Sequence, residues 1–253
     1  MLLTVIASLM GIQATKSGWT LVWNDEFNRS GLPDPKKWGY EVGLIRNKEL
    51  QYYTERRKDN ARVEGGKLIL EARKEDYKGS KITSASINTL GKFTFEYGRV
   101  EVCAKLPKTL GSWPAIWMMG EDRPIVGWPR CGEIDIMEHV QHDPATIYAT
   151  VHQPKDGGGH QSKGDKTKVT DYADAFHVYA MEWKKTGLEF FVDDRSYFKF
   201  PYEGPSKWAF DRKMYILLNL AIGGAWGGQK GIDESGFPCR MEVDYVRVYK
   251  PTP

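Results

Sequence analysis

The sequence predicts an all-β chain that folds as an antiparallel β-sandwich, and two observations carry this prediction. The first is a series of roughly a dozen short β-rich segments separated by turn residues, a spacing that is typical of sandwiches. The second is that apolar residues do not recur at a sustained helical period of 3.6 residues. With 253 residues, of which 41% are hydrophobic, the chain can bury one large core. We therefore expect a single domain over residues 16–253.

The predicted strands are short and are bounded by Gly, Pro, Asn or Asp. Two connections, at residues 185–187 and 193–194, have the composition of tight turns, so the strands around them should form a meander. The polar, glycine-rich stretch 153–168 is expected to be a loop. In chain order, the predicted strands span residues 19–27, 49–54, 67–72, 95–107, 113–119, 132–139, 147–152, 176–185, 187–194, 195–200, 213–224 and 241–250.

Strand 95–107 has the longest alternation of apolar and polar residues. Val100 and Val102 fall on one face, whereas Arg99 and Glu101 fall on the other. This pattern predicts a half-buried strand with one polar face.

The segment 132–139, GEIDIMEH, carries three carboxylates. In a strand, Glu133 and Asp135 point to the same face, and an ideal alternation would send Glu138 to the opposite face. One extra residue in a β-bulge near Ile136 or Met137 returns Glu138 to the first face. The sequence therefore predicts a bulged strand that lines one surface with three acids.

Acids placed this close together repel, so their purpose is not stability. A pair at about 5–5.5 Å can act as nucleophile and general acid/base of a retaining glycosidase, whereas about 6.5–9.5 Å suits an inverting one. Near neighbours on one strand favour the retaining case. An acidic surface patch and a metal-binding group are the alternatives that this motif alone leaves open.

Composition limits the class of partner. The formal net charge is only +3 and the basic residues are scattered, so we expect no nucleic-acid partner. The chain has 9 Trp, 13 Tyr and 10 Phe, and aromatic rings serve both as core residues and as platforms for sugars. No segment after the N-terminus reaches about 18 consecutive apolar residues, so no membrane span is predicted. The 3 cysteines leave at least one unpaired in a monomer.

Residues 1–15 form a separate feature. An apolar run over residues 2–10 precedes Ala14, a small residue at which a signal peptidase could cut, but a basic start is lacking. We interpret residues 1–15 as a signal peptide or an N-terminal extension, and expect a secreted, extracellular or periplasmic monomer.

Six segments together resemble glycoside hydrolase family 16, in particular its bacterial-type laminarinases, which are endo-β-1,3-glucanases. They are ELQYYT, FEYGRVEVCAKLP, WPAIWMM, GEIDIMEH, LNLAIGG and MEVDYVRVYK, in the order that the family has. The resemblance covers nearly all of residues 19–250. It implies a β-jelly-roll sandwich of two curved antiparallel sheets with an open concave substrate cleft, and hydrolysis that needs no cofactor.

The resemblance also implies roles for the acids. Glu133 matches the nucleophile of the family, Glu138 the acid/base, and Asp135 the carboxylate that assists the nucleophile. We expect the charge of Glu133 to raise the pKa of Glu138 and keep it protonated for the leaving oxygen.

Further positions match residues that contact the polysaccharide substrate in the family. Strand alternation places Trp113 and Trp117 on one face, as a sugar platform requires. The chain departs from the family pattern at Lys48, Cys103 and Ala225, of which the first and last lie near the expected edges of the cleft. The expected substrate-binding residues are Trp113, Trp117, His152, Asn47, Arg99 and Trp226.

A structural Ca²⁺ is the one metal that the resemblance implies. Its ligands map onto Glu26, Gly66 and Asp244, with Val243 and Tyr245 expected to share the inward face of the last strand. The alternative is that both acids are ordinary surface residues paired with Arg or Lys.

Other substrates and one other class of protein remain open. The same machinery could act on mixed-linkage β-glucan or on a galactan such as agar or carrageenan. The bulged spacing argues against the licheninase-type branch, and the lack of an Arg-rich segment favours a neutral glucan. A non-catalytic β-glucan-binding protein on the same sandwich would be expected to lack one or both glutamates, and both are present.

Overall fold

Two β-sheets packed face to face form the fold. The structure, a computed structural model, describes residues 16–253. The first sheet has ten strands: β1 (Trp19–Asp25), β3 (Gln51–Tyr53), β4 (Ala61–Glu64), β5 (Lys67–Tyr77), β6 (Ser80–Ser84), β8 (Gly98–Lys105), β13 (His177–Lys184), β14 (Gly187–Val192), β15 (Arg195–Pro201) and β17 (Cys239–Pro251).

The second sheet has seven strands and carries the acid motif. Its members are β2 (Gly39–Tyr40), β7 (Ser86–Asn88), β9 (Ser112–Gly120), β10 (Glu133–Glu138), β11 (Thr146–Pro154), β12 (His160–Lys168) and β16 (Met214–Ile222). Helical structure in residues 16–253 is limited to α1 (Arg123–Val126), α2 (Gly224–Gly227) and the 3₁₀ turns Pro205–Lys207 and Glu234–Gly236. None of these helices is long and apolar enough to cross a membrane.

Strand order explains how the sheets are built. The first sheet runs β15-β14-β13-β8-β17-β5-β6-β3, with β1 also paired to β17 and β4 to β5, and the second runs β12-β11-β10-β9-β16-β7-β2. Neighbouring strands are antiparallel except for β3 and β6, which are parallel. The all-β sandwich predicted from the sequence is confirmed, with this one parallel pair as a departure.

The core lies between the two sheets. Val100 and Val102 of β8 enter it from the first sheet, and Ile116 and Met118 of β9 enter it from the second. All four side chains are fully buried, which removes their apolar area from water and stabilises the sandwich. The three cysteines are buried as free thiols, in line with their odd number.

The meander is confirmed, but the predicted loop is partly wrong. Strands β13, β14 and β15 are joined by short turns, and Asp193 and Asp194 adopt φ values of 49° and 61° in the second turn. Residues 160–168, by contrast, pair with β11 as the edge strand β12. Their side chains are almost all exposed, so backbone hydrogen bonds form this strand without the alternation that would reveal it in the sequence.

Candidate active site

The acid strand β10 contains the predicted bulge. Against β11, Asp135 pairs with Thr150 and Glu138 pairs with Tyr148, so three steps on β10 match two on β11. The shift on the β9 side lies between Asp135 and Met137. Two successive side chains, Ile136 and Met137, are consequently both buried. The bulge turns Glu138 to the outer face of the sheet, where Glu133 and Asp135 lie.

Glu138 sits in the environment expected of a general acid. Burial raises the pKa of the Glu138 carboxyl well above its usual range, and the nearby charge of Asp135 raises it further. The indole Nε1 of Trp113 donates a hydrogen bond of 3.0 Å to Glu138 Oε1, which acts in the opposite direction and lowers the pKa. Glu133 contributes less than burial and Asp135, so the sequence-based explanation named a smaller cause.

Asp135 is the most enclosed of the three acids. Its side chain is only 3% exposed, and burial, followed by the charge of Glu133, raises the pKa of Asp135 well above the ordinary value. Nε2 of His152 lies 3.2 Å from Asp135 Oδ2, although the angles are not those of a hydrogen bond. His152 itself pairs across the sheet with Glu133, so strand register alone brings this histidine to the acids.

Trp128, which the sequence analysis did not identify, contacts the predicted nucleophile. Its indole Nε1 donates a 2.7 Å hydrogen bond to Glu133 Oε2, and its ring lies 4.8 Å from that of His160, another residue not identified from the sequence. Trp128 is 45% exposed, as a ring that can receive a sugar would be. The available signal was an aromatic residue in the loop just before the acid motif.

Three tryptophans line the surface beside the acids. Trp113 and Trp117 share the outer face of β9, as predicted, and Trp226 contacts the Trp113 ring edge to face at 5.5 Å. Trp117 is only 6% exposed. The Arg46 guanidinium lies 4.9 Å from the Trp117 ring centre. Trp117 therefore forms part of the floor, whereas Trp113 combines a partly exposed ring with direct contact to Glu138.

A polar network that the sequence analysis did not identify supports this floor. Trp117 Nε1 donates to Asn219 Oδ1 at 2.7 Å, and Asn219 Nδ2 donates to the Tyr53 hydroxyl at 3.0 Å. Tyr53 in turn donates to Glu49 Oε2 at 3.1 Å, and the predicted substrate ligand Asn47 donates to Glu49 Oε1 at 3.1 Å. Burial raises the pKa of Glu49. The ELQYYT segment thus positions cleft residues from beneath.

The cleft that these residues enclose has a cavity volume of about 520 Å³. It contains all three acids and five of the six predicted substrate-binding residues. Its walls are Arg46, Asn47, Glu49, Trp113, Ala115, Trp117, Met119, Arg123, Trp128, Glu133, Asp135, Glu138, Thr150, His152, His160, Asn219, Ala221 and Trp226.

The assignment of Arg99 to substrate binding is wrong. Arg99 lies on β8 in the centre of the other sheet and is 1% exposed. Its guanidinium donates to Glu101 at 2.7 Å, Glu182 at 3.1 Å and Asp194 at 2.6 Å. The alternation of β8 correctly separated polar from apolar residues, but the polar face is closed by ion pairs rather than half-open. Arg99 therefore stabilises the first sheet.

The residues predicted to hold Ca²⁺ meet where β17 changes partner. Strand β5 pairs with β17 as far as Val243, and β1 pairs with it from Val246 onward. Glu26 follows the end of β1 and Gly66 precedes the start of β5, so both flank this point. Asp244 is the exposed residue of a bulge there.

The Glu26 side chain does not fit a cation. Nε and Nη2 of Arg247 each donate to its carboxylate at 2.8 Å, and these hydrogen bonds lower the pKa of Glu26. The expectation that Val243 and Tyr245 share the inward face is also wrong, because the bulge turns Tyr245 outward beneath Arg247, whose guanidinium lies 3.6 Å from the ring centre. A carboxylate saturated by a guanidinium cannot also neutralise calcium.

A β-sandwich face on which Glu133 and Glu138 lie together among aromatic rings, with the pKa of Glu138 raised by burial, is the arrangement that a glycoside hydrolase requires. The family model "Glycosyl hydrolases family 16" matches residues 48–247, and the chain belongs to this family.

Relatives support the same placement. The β-glucanase of Rhodothermus marinus is 49% identical over 246 residues, which cover 92% of this chain and 85% of that protein. The X-ray structure of the laminarinase from Rhodothermus marinus superposes with a TM-score of 0.88 at 46% identity, covering 93% of this chain and 98% of that one. The crystal structure of SCLam, a non-specific endo-β-1,3(4)-glucanase from family GH16, superposes with a TM-score of 0.87 at 45% identity, and the match covers 94% of each chain.

Proposed function

We propose that this protein is a retaining, endo-acting β-1,3-glucanase that cleaves laminarin-like polysaccharide by double displacement. The observation that carries the proposal is the bulge in β10, which brings Glu133 and Glu138 to one face of the cleft with Asp135 between them. Two carboxylates in this arrangement perform both half-reactions without a cofactor.

In the first half-reaction, Glu133 attacks the anomeric carbon and Glu138 protonates the departing glycosidic oxygen. Because burial and Asp135 raise the pKa of Glu138, its proton is present at the pH where a carboxylate nucleophile is ionised. The hydrogen bond from Trp128 fixes the orientation of Glu133.

In the second half-reaction, water hydrolyses the glycosyl ester on Glu133. Formation of the ester removes a negative charge from the cleft, which lowers the pKa of Glu138 and makes it a better base for the incoming water. The hydrogen bond from Trp113 favours the ionised form of Glu138 and therefore assists this second role.

The position of the acids in the sheet favours cleavage within a chain. β10 is the third of seven strands, with β11 and β12 on one side and β9, β16, β7 and β2 on the other. Trp128 contacts Glu133 at one end of the acid motif, whereas Trp113, with Trp226 packed against it, contacts Glu138 at the other end. A polysaccharide can therefore occupy sites on both sides of the scissile bond.

Anomeric configuration tests the mechanism. We expect proton NMR of laminarin hydrolysis to show the β-anomer first, and inversion would refute double displacement. With an activated substrate and azide, Glu133→Ala should give the α-glycosyl azide and Glu138→Ala the β-azide, because only the former has lost the nucleophile. The opposite stereochemistry would exchange the two roles.

Mixed-linkage glucan is the alternative substrate that a specific observation favours, because SCLam, a non-specific β-1,3(4)-glucanase, is so similar in structure. Two cleft arginines, Arg46 and Arg123, were not anticipated, and Arg46 is already paired with Glu41. Initial rates on laminarin, lichenan, agarose and κ-carrageenan separate the substrates, and we expect the highest rate on laminarin. Binding of laminarin without hydrolysis would instead indicate a recognition protein.

Structural Ca²⁺ remains a proposal with a changed set of ligands. Because Arg247 donates to both oxygens of the Glu26 carboxylate, Glu26 can offer calcium only its main-chain carbonyl. The other protein ligands would be the carbonyl of Gly66 and the side chain of Asp244. Calcium accepts such a mixture of carbonyls and carboxylates but wants six to eight oxygens, so water would complete the shell.

Secretion and a monomeric state are also proposals. The signal peptide or extension assigned to residues 1–15 lies outside the described residues. Sequencing the N-terminus of protein recovered from the culture medium tests cleavage, and light scattering coupled to gel filtration tests the monomer. Retention of the protein in the cell would contradict secretion.

A further inference from the structure

The cleft contains three side chains of the types that bind metal ions, in an arrangement that the hydrolytic mechanism does not itself explain. Glu133 and Asp135 lie on β10 and His152 lies opposite on β11, and one ligand atom from each falls within 4.8 Å of the others. This is the one group of three or more His, Cys, Asp or Glu side chains in residues 16–253 with that spacing.

One buried oxygen points to a ligand at this position. Asp135 is 3% exposed, and its Oδ2 has no hydrogen-bond partner among the described residues. His152 Nε2 is 3.2 Å away, outside hydrogen-bond geometry. A buried carboxylate oxygen that receives no hydrogen bond costs free energy, which a bound proton or a bound cation can offset. A cation between Asp135 and His152 would satisfy both atoms.

The spacing suits a transition metal. Ligand atoms on one tetrahedral Zn²⁺ lie about 3.3 Å apart, because each bond is about 2.0–2.2 Å long. Atoms within 4.8 Å reach that separation through small side-chain rotations, and strand pairing of Glu133 with His152 fixes the backbone. One imidazole and two carboxylates favour Zn²⁺ or Cu²⁺ over Ca²⁺ and Mg²⁺, which prefer oxygen alone.

We propose that Glu133, Asp135 and His152 form an inhibitory site for a divalent transition metal, with Zn²⁺ or Cu²⁺ as the ion. The metal occupies the carboxylate that must attack the sugar, so metal and substrate exclude each other. The His152 Nδ1 has no partner among residues 16–253, whereas ligating histidines in tight sites donate through their second nitrogen. The metal therefore binds reversibly and is not a permanent structural ion. The inhibitory consequence rests on the proposed function, but the binding does not.

Calorimetry measures the binding directly. Enzyme stripped of transition metals is titrated with ZnCl₂ in millimolar CaCl₂, which keeps any calcium site filled. We expect one Zn²⁺ per chain, and at least about tenfold weaker binding to His152→Gln, since loss of even an outer partner of a ligand costs about 10–100-fold. The matched control is His160→Gln, which removes a neighbouring cleft imidazole (ring centres 5.7 Å apart) that is not in the group and should leave the affinity unchanged.

Kinetics tests the inhibition. Zn²⁺ should raise the KM for laminarin without changing kcat, and laminaritriose should compete with Zn²⁺ in the calorimeter. Equal Zn²⁺ affinity of the wild type and a folded His152→Gln would overturn the site, as would the absence of binding to the wild type. Stoichiometric binding lost in His152→Gln, in a protein that hydrolyses no glucan, would support the site and refute the proposed function.

Discussion

The hydrogen bond from Trp113 to Glu138 makes the pH dependence of hydrolysis predictable. Trp113→Phe removes the indole N–H that donates to Glu138 Oε1 at 3.0 Å and keeps an aromatic ring in the cleft. That bond favours the ionised carboxylate and so lowers the pKa of Glu138. Without it, Glu138 stays protonated to higher pH, and the basic limb of the kcat/KM profile should move upward.

The size of the shift follows from the difference between two hydrogen bonds. A bond to a charged group contributes about 1.5–3 kcal/mol and one to a neutral group about 0.5–1.5 kcal/mol. The indole therefore favours the ionised form of Glu138 by about 1–1.5 kcal/mol. Since one pKa unit corresponds to about 1.36 kcal/mol, we expect the basic limb of the kcat/KM profile to move upward by about one pH unit.

Initial rates on a soluble laminari-oligosaccharide across the pH range supply the profile. The control is Trp117→Phe, because the indole N–H of Trp117 donates to Asn219 and not to an acid. The basic limb of the kcat/KM profile of this variant should stay in place. The position of the limb does not depend on how far either variant lowers the overall rate. A basic limb that stays fixed or moves downward in a folded Trp113→Phe would refute this reasoning.

Three further predictions concern stability. Burial and the charge of Glu133 raise the pKa of Asp135, so above about pH 3.9, where the unfolded chain has released this proton, the folded state still binds it. The stability therefore falls as the pH rises from about 3.9 towards the raised pKa of the folded state. Asp135→Asn should raise the melting temperature at pH 7 but not at pH 3.5, and equal effects at the two pH values would contradict this sign. Arg99→Met should lower the free energy of unfolding by about 3 kcal/mol, because it removes the buried cation that pairs with Glu101, Glu182 and Asp194. The KM should be unchanged, and a raised KM would restore the role of Arg99 in substrate binding. Millimolar CaCl₂ should raise the melting temperature of the wild type above its value in EDTA, because an ion that binds only the folded state stabilises it. The melting temperature of Asp244→Ala should not change with calcium. A wild-type melting temperature that does not respond to calcium would refute the Ca²⁺ site.

The parts of the site that depend on local geometry were readable from the sequence. Alternation along β9 placed Trp113 and Trp117 on one face, and the odd separation of Glu133 from Glu138 required a bulge if both were to share a surface. These inferences need only the two-residue period of a strand, which is a property of the backbone and holds wherever the strand lies.

Tertiary structure alone decided which faces meet. The alternation of β8 separated Arg99 from the core valines, but only the sheet order shows that its polar face lies away from the cleft and is closed by Glu101, Glu182 and Asp194. The hydrogen bond from Trp117 to Asn219 joins residues 102 positions apart, so no local pattern could reveal it. The period of a strand fixes which side chains share a face, whereas the neighbouring strands fix whether that face meets core, cleft or solvent.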